Sequence, residues 1–152
     1  MDLTFVDTGA FIALLDKPDH KHRQAEEIYG RLVVRKSVLV TSNHVVDETC
    51  TWLLRHTPNG HKAAVRFGET IAHGAHVSAS DERFFLPPGA ANLIIVYSTP
   101  TIERSAWELF ARYDSAGFSF TDCVSFAVMQ SIGINKAFSF DNHFAVMGFE
   151  RL

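Results

Sequence analysis

Several features that would settle the class of this chain at once are scarce or missing. Cysteine is nearly absent: 152 residues hold only Cys50 and Cys123, with no CxxC spacing. Both fall in apolar helical patterns, which predicts reduced, buried core residues in a reducing compartment rather than a disulfide framework. No apolar run approaches the roughly 20 residues needed to span a bilayer. The opening residues, MDLTFVD, carry an acid at position 2 and no basic segment, so no secretory leader is expected. A cytoplasmic protein without a membrane partner is the expectation. Positive charge is also in short supply. A formal net charge of −3 gives no global basic field to attract a polyanion. Eight histidines are present, but no HExxH and no Cys/His quartet, which predicts surface histidines rather than a zinc site.

Apolar residues are plentiful. They make up 47% of the chain and include 13 phenylalanines, enough for one well-filled core. Their spacing alternates between strand and helix from the start. Leu3–Val6 reads as a buried strand and residues 10–15 as a short helix stopped by DKPD. Ala25, Ile28, Tyr29, Leu32 and Val33 mark a helix face; residues 37–41 form a second strand. Helices follow over 45–55 and 61–73, the latter with Ala64, Val65, Phe67 and Ile71 on its apolar side. Leu93–Tyr97 is a third strand, after which Thr99 can cap a helix with Pro100 at its first position. Ile102, Ala106, Leu109, Phe110 and Tyr113 line that helix, and Trp52 and Trp107 are expected in the core. A helix over 122–132 stops at Gly133. A fourth strand covers 135–140, and MGFERL adds a short fifth at the edge. Strands separated by helices imply parallel pairing through right-handed crossovers. The expected fold is a three-layer α/β/α domain over residues 1–152 with a mainly parallel four- to five-stranded sheet. Residues 75–92 interrupt it as an insertion or long loop, whose Phe84, Phe85 and Leu86 either fold back on the core or meet a partner.

Why should the apolar LTFV run straight into an aspartate? In an open parallel sheet, ligands bind outside the carboxyl ends of the strands. Asp7 follows the first strand and Asp141 the fourth. Asp122 lies in the first turn of the helix after FSFT, and Glu48 one to two turns into the helix after the second strand. All four therefore fall on one rim, although nearly the whole chain separates the first from the last. Each has a plainer alternative. Ser119-x-x-Asp122 has the spacing of a capping box, and Asp7 and Asp141 can each begin a turn. Asp47 is the more exposed neighbour of Glu48. Four carboxylates gathered without a cation would repel and some would protonate. A hard divalent ion, Mg²⁺ or Mn²⁺, removes that conflict, and such a site suits phosphodiester hydrolysis. Arg55, Lys62 and Arg66, around the TPNG turn, offer either a grip on a phosphate backbone or a solvated helical hairpin.

Together FVDTGAFIALLD, VVDETCTWLL, FSFTDCVSFAVMQ and AFSFDNHF resemble the PIN-domain nucleases, most closely the VapC-like toxins of toxin–antitoxin pairs. The resemblance spans nearly the whole chain, with the four acidic motifs in order. It implies that Asp7, Glu48, Asp122 and Asp141 form the catalytic, metal-binding set. Thr8, Thr121 and Asn142 would orient water or carboxylates around it. It further implies Mg²⁺- or Mn²⁺-dependent endoribonuclease activity, a homodimer, and a cognate antitoxin. Residues 75–92 depart from the pattern by lengthening the gap between Glu48 and Asp122. Two other functions are weighed. A haloacid dehalogenase-type phosphatase wants a second Asp two residues after Asp7, where this chain has Gly9. A degenerate PIN domain would bind nucleic acid or a partner without cutting, which the intact acidic set argues against.

Overall fold

The computed structural model describes residues 2–79 and 92–152. Its centre is a six-stranded sheet in the order β3-β4-β2-β1-β5-β6, every neighbouring pair parallel. The elements along the chain are β1 (Leu3–Val6), α1 (Thr8–Leu15), α2 (His22–Val34), β2 (Val38–Ser42), α3 (Asn43–His56) and α4 (Gly60–Ala72). They continue as β3 (Ala75–Ser78), β4 (Leu93–Tyr97), α5 (Pro100–Arg112), α6 (Phe120–Ile132), β5 (Lys136–Phe138), α7 (His143–Val146) and β6 (Glu150–Arg151). Among the described residues, helices lie between β1 and β2, β2 and β3, β4 and β5, and β5 and β6, and flank the sheet, the three-layer α/β/α arrangement expected of alternating strand and helix patterns.

The first strand sits centrally because Phe5 and Val6 gain from full burial, at the cost of a buried Thr4 hydroxyl with no hydrogen-bond partner among the described residues. Phe5 aligns with Val40 of β2 on one side and Ala137 of β5 on the other. Phe5, Val6, Val40, Ala137 and Phe138 are buried, as parallel strands covered on both faces must be. The buried Thr41 hydroxyl donates to the Val6 carbonyl at 2.9 Å, so even this core polar group is satisfied. The same register brings the carboxyl ends of β1, β2 and β5 to one rim. There the Asp7 N–H donates to the Phe138 carbonyl, carrying the β1–β5 pairing one residue past the strand.

Six strands replace the expected four to five. The addition is β3, whose AHVS pairs with β4 in register Ala75 to Ile94. It takes the first residues of the segment assigned to a loop. Phe84, Phe85 and Leu86 lie outside the described residues. Caps follow the expectations: Thr99 accepts from the Ile102 N–H, and Gly133 closes α6 in the left-handed region at φ 77°. Burial departs from expectation at the margins of the helical stripes. Ile102, Ala106 and Leu109 turn α5 inward, which swings Trp107 over the helix shoulder to 56% exposure and leaves Phe110 exposed. Tyr29, Val33 and Val65 are likewise exposed. Cys123 is buried, whereas Cys50 is only half-buried; neither is in a disulfide. Among the described residues, no helix is long and apolar enough to cross a membrane.

Candidate active site

The rim is built from the strand ends outward. Asp7 has extended backbone, φ −90° and ψ 163°, and its carbonyl starts α1 by accepting from Ala10 and Phe11. An aspartate here would normally turn its side chain back to cap the helix. Asp7 makes no such bond. Its carboxylate instead accepts from the buried Ser139 hydroxyl, 2.9 Å from Oδ2. Burial pushes its pKa up to about 7; the Ser139 bond opposes this, while the charges of Asp122 and Glu48 add to it. Beside it, the buried Thr8 hydroxyl has no hydrogen-bond partner among the described residues.

Asp122 occupies the third position of α6 and satisfies both of its sequence readings. Ser119 and Asp122 form a reciprocal capping box, with Ser119 N–H to Asp122 Oδ2 at 2.9 Å and Asp122 N–H to Ser119 Oγ at 3.0 Å. That box fixes the carboxylate's rotamer while Oδ2 still faces the rim. Asp141 is held twice. Its N–H donates to Ser139 Oγ at 3.0 Å, and its Oδ1 accepts from the His143 N–H at 2.9 Å. Ser139 thus clamps Asp7 and Asp141 with one hydroxyl. His143 closes the cluster, its Nδ1 lying 3.1 Å from both Asp122 Oδ2 and Asp141 Oδ2.

Glu48 rises from α3, which Ser42 caps by accepting from the Val45 N–H. It is half-buried, whereas Asp47 is exposed as expected. Its placement on the rim is felt through the charge it exerts on Asp7. Thr121 is half-buried, with its carbonyl accepting from Ser125, and Asn142 is exposed at the start of α7 without a side-chain cap. Arg55, Lys62 and Arg66 are exposed on α3 and α4. Seven positions separate Arg55 from Glu48, about 10 Å along the helix, so Arg55 flanks that acid rather than joining it. Cys123, next to Asp122, is kept a thiol: burial and that neighbouring charge push its pKa to about 11.

The structure therefore gathers Asp7, Asp122 and Asp141, with Glu48 alongside. Ser139 and His143, which sequence reasoning missed, join them. Ser139 was hidden in an apolar strand tail, and His143 was grouped with surface histidines. The set fits a hard divalent cation. Asp7 is a buried carboxylate with one hydroxyl partner, Thr8 is an orphaned buried oxygen, and Asp122, Asp141 and His143 place potential ligand atoms within 4.8 Å of one another. A dication would relieve both the buried charge and the mutual repulsion.

A parallel α/β sheet with an acidic cluster at its carboxyl rim is an arrangement able to hold a divalent ion, and comparison with known proteins gives its family. Residues 4–150 match the PIN domain, and the chain belongs to that family. It is 33% identical over 151 residues to the 23S rRNA-specific endonuclease VapC20 of Mycobacterium tuberculosis, covering 97% of this chain and 95% of that one. It is 31% identical over 143 residues to a VapC ribonuclease of Archaeoglobus fulgidus, covering 93% and 78%. The crystal structure of M. tuberculosis VapC20, described as a sarcin–ricin loop cleaving toxin, superposes with a TM-score of 0.76 at 34% identity over 97% of this chain and 96% of that one. VapBC2 from Rickettsia felis, bound to a promoter DNA fragment, shares the fold alone, with a TM-score of 0.64 at 9% identity over 99% and 97%.

Proposed function

We propose that the protein is a divalent-metal-dependent endoribonuclease, the toxin of a type II toxin–antitoxin pair, and that its substrate is 23S ribosomal RNA at the sarcin–ricin loop. One observation carries this reading: sequence identity of about a third with a 23S rRNA-specific endonuclease runs through 97% of the chain, and the acidic rim lies within that span. The whole of residues 1–152 acts as one domain, with β3 as part of its sheet. Its partners are the RNA, a cognate antitoxin and a second copy of the chain.

Asp7, Glu48, Asp122 and Asp141 would hold Mg²⁺ or Mn²⁺. Such an ion, when bound, offsets charge on the scissile phosphate and lowers the pKa of water. The chain's own contribution is preorganisation. The Ser139 hydroxyl holds Asp7 Oδ2 and the Asp141 backbone together. The capping box holds Asp122, and the Thr8, Thr121 and Asn142 side chains orient water or carboxylate oxygens. Because these groups are fixed before substrate arrives, little reorganisation is needed as charge develops at phosphorus. Water adds in line to phosphorus and gives up a proton, the bond to the 3′ oxygen breaks, and the leaving oxygen takes up a proton. The products are a 5′-phosphate and a 3′-hydroxyl, with no ribose 2′-OH acting as nucleophile.

The test is 5′-end mapping of total bacterial RNA and intact ribosomes after incubation with the purified protein. Incubations contain Mn²⁺, EDTA, or Mn²⁺ with the Asp7→Asn variant. New 5′-phosphate ends in the sarcin–ricin loop are expected only with wild type and metal. Ends at another position would replace the target while keeping the nuclease. A folded, antitoxin-free protein that yields no ends with metal would be a non-cleaving PIN domain.

A further inference from the structure

The imidazole of His143 is not one of the four acids to which the family resemblance assigns the metal, yet it stands among them. We infer that His143 Nδ1 is a direct ligand of the bound cation, making this a mixed oxygen and nitrogen site that selects Mn²⁺ over Mg²⁺. The inference rests on the metal-site reading given above.

Geometry comes first. Ligand atoms about 2.1 Å from a six-coordinate ion sit about 3.0 Å from their neighbours in the shell. His143 Nδ1 lies 3.1 Å from Asp122 Oδ2 and 3.1 Å from Asp141 Oδ2, one oxygen on each carboxylate. A single nitrogen midway between two carboxylates is the spacing of one coordination shell. A hydrogen bond to either acid accounts for one contact and leaves the other as a shared, weaker approach.

The ring is also pinned there. Its backbone N–H is tied to Asp141 Oδ1 at 2.9 Å. Its ring meets the buried Phe118 in a T-shaped contact, with centroids 5.0 Å apart. Phe118 in turn packs against the buried Phe126 of α6, the helix that carries Asp122. The imidazole is therefore set relative to both carboxylates by the core, not left on a solvated helix. Without a cation, Nδ1 serves the two acids as a hydrogen-bond donor. With one, its lone pair becomes the better use of the same position, and the ring proton resides on Nε2.

Ligand chemistry then sets selectivity. Mg²⁺ takes oxygen ligands and keeps its waters, whereas Mn²⁺ shares that taste for carboxylate and water but, as a first-row transition ion, gains more from an added nitrogen. Replacing His143 should thus weaken Mn²⁺ much more than Mg²⁺. Outer-shell partners of metal sites change affinity by about 10- to 100-fold, and a direct ligand should match at least the lower end of that range.

The experiment uses the full chain, free of antitoxin, with Mn²⁺ or Mg²⁺ as the only added ligand. Calorimetric titration measures both affinities, and electron spin-echo envelope modulation of the Mn²⁺-loaded protein reads directly bound nitrogen. Wild type is expected to show nitrogen modulation that disappears in His143→Asn and His143→Gln. The Mn²⁺ to Mg²⁺ affinity ratio should fall on the order of tenfold with it. Stoichiometric Mn²⁺ without nitrogen modulation in wild type overturns the inference, whether or not the variants fold. Modulation that persists in folded variants overturns it too, by assigning the nitrogen to another residue. Failure of wild type to take up either ion would remove the metal-site reading itself, an outcome distinct from a nitrogen-free site.

Discussion

Asp7 is placed where function and stability pull in opposite directions. Its carboxyl titrates at about 7 in the folded protein against 3.8 for an unperturbed aspartate, chiefly because it is buried. The folded state therefore holds this proton more tightly than the unfolded chain. With metal chelated, the sign follows: below the unfolded value both states are protonated and Asp7 carries no penalty. The penalty grows as pH rises from 3.8 to about 7 and then levels off. Asp7→Asn keeps a partner for Ser139 and removes the charge. In EDTA, urea unfolding should find the variant and wild type alike near pH 4. The variant should be more stable at pH 8 by on the order of a few kcal/mol. Mn²⁺ should close the gap by stabilising only wild type, and the variant should cleave no RNA. Equal pH dependence in the two proteins would mean that Asp7 is not a buried charge awaiting a cation.

Helices and strands differed in how well the sequence announced them. β1, β4 and the caps of α5 and α6 were legible because each rests on local chemistry: a mainly apolar run, a Thr-Pro start, a glycine stop. β3 was not, since AHVS buries one residue at a sheet edge and takes its stability from pairing with β4. The acids were legible through their positions after strands. Ser139 and His143 were not, because their roles exist only once β1, α6 and the turn after β5 converge. The junction of α3 and α4 gives a sharper test of element packing. A Cβ on Gly60 would lie 2.3 Å from the Leu54 carbonyl oxygen and 2.7 Å from that of Leu53, both backbone atoms. Gly60→Ala should therefore force the hairpin apart and cost about 1–3 kcal/mol in urea unfolding. Gly30, inside α2, has nothing within 4 Å of such a Cβ. Gly30→Ala should stabilise by about 0.5–1 kcal/mol, through helix propensity alone. A Gly60→Ala variant as stable as wild type would contradict the close approach of α4 to the α3 carbonyls, and a destabilised Gly30→Ala would contradict the open space beside α2.

At the scale of the whole molecule, a protein of net charge −3 with an acidic rim must still engage a polyanion. A long-range basic field is not available to it, so attraction has to be local. We propose that the exposed Arg55 of α3 and Lys62 and Arg66 of α4 supply that local attraction. α3 is rooted at the rim by its Ser42 cap and carries Glu48 early and Arg55 in its last turn. Arg55 thus stands about 10 Å from Glu48 along the axis, a placement suited to a phosphate flanking the cut rather than the scissile one. The consequence is kinetic. For single-stranded nucleic acid each neutralised phosphate contributes about 0.7 to the slope of log affinity against log salt. Replacing all three cations by alanine should lower the salt slope of kcat/KM on an RNA oligonucleotide by about 2. It should raise KM at low salt and leave kcat near its wild-type value, because the acidic cluster is untouched. A fall in kcat with an unchanged slope would place these residues in the chemistry or the fold. An unchanged slope with unchanged KM would leave them a solvated face, and the RNA would have to be gripped elsewhere.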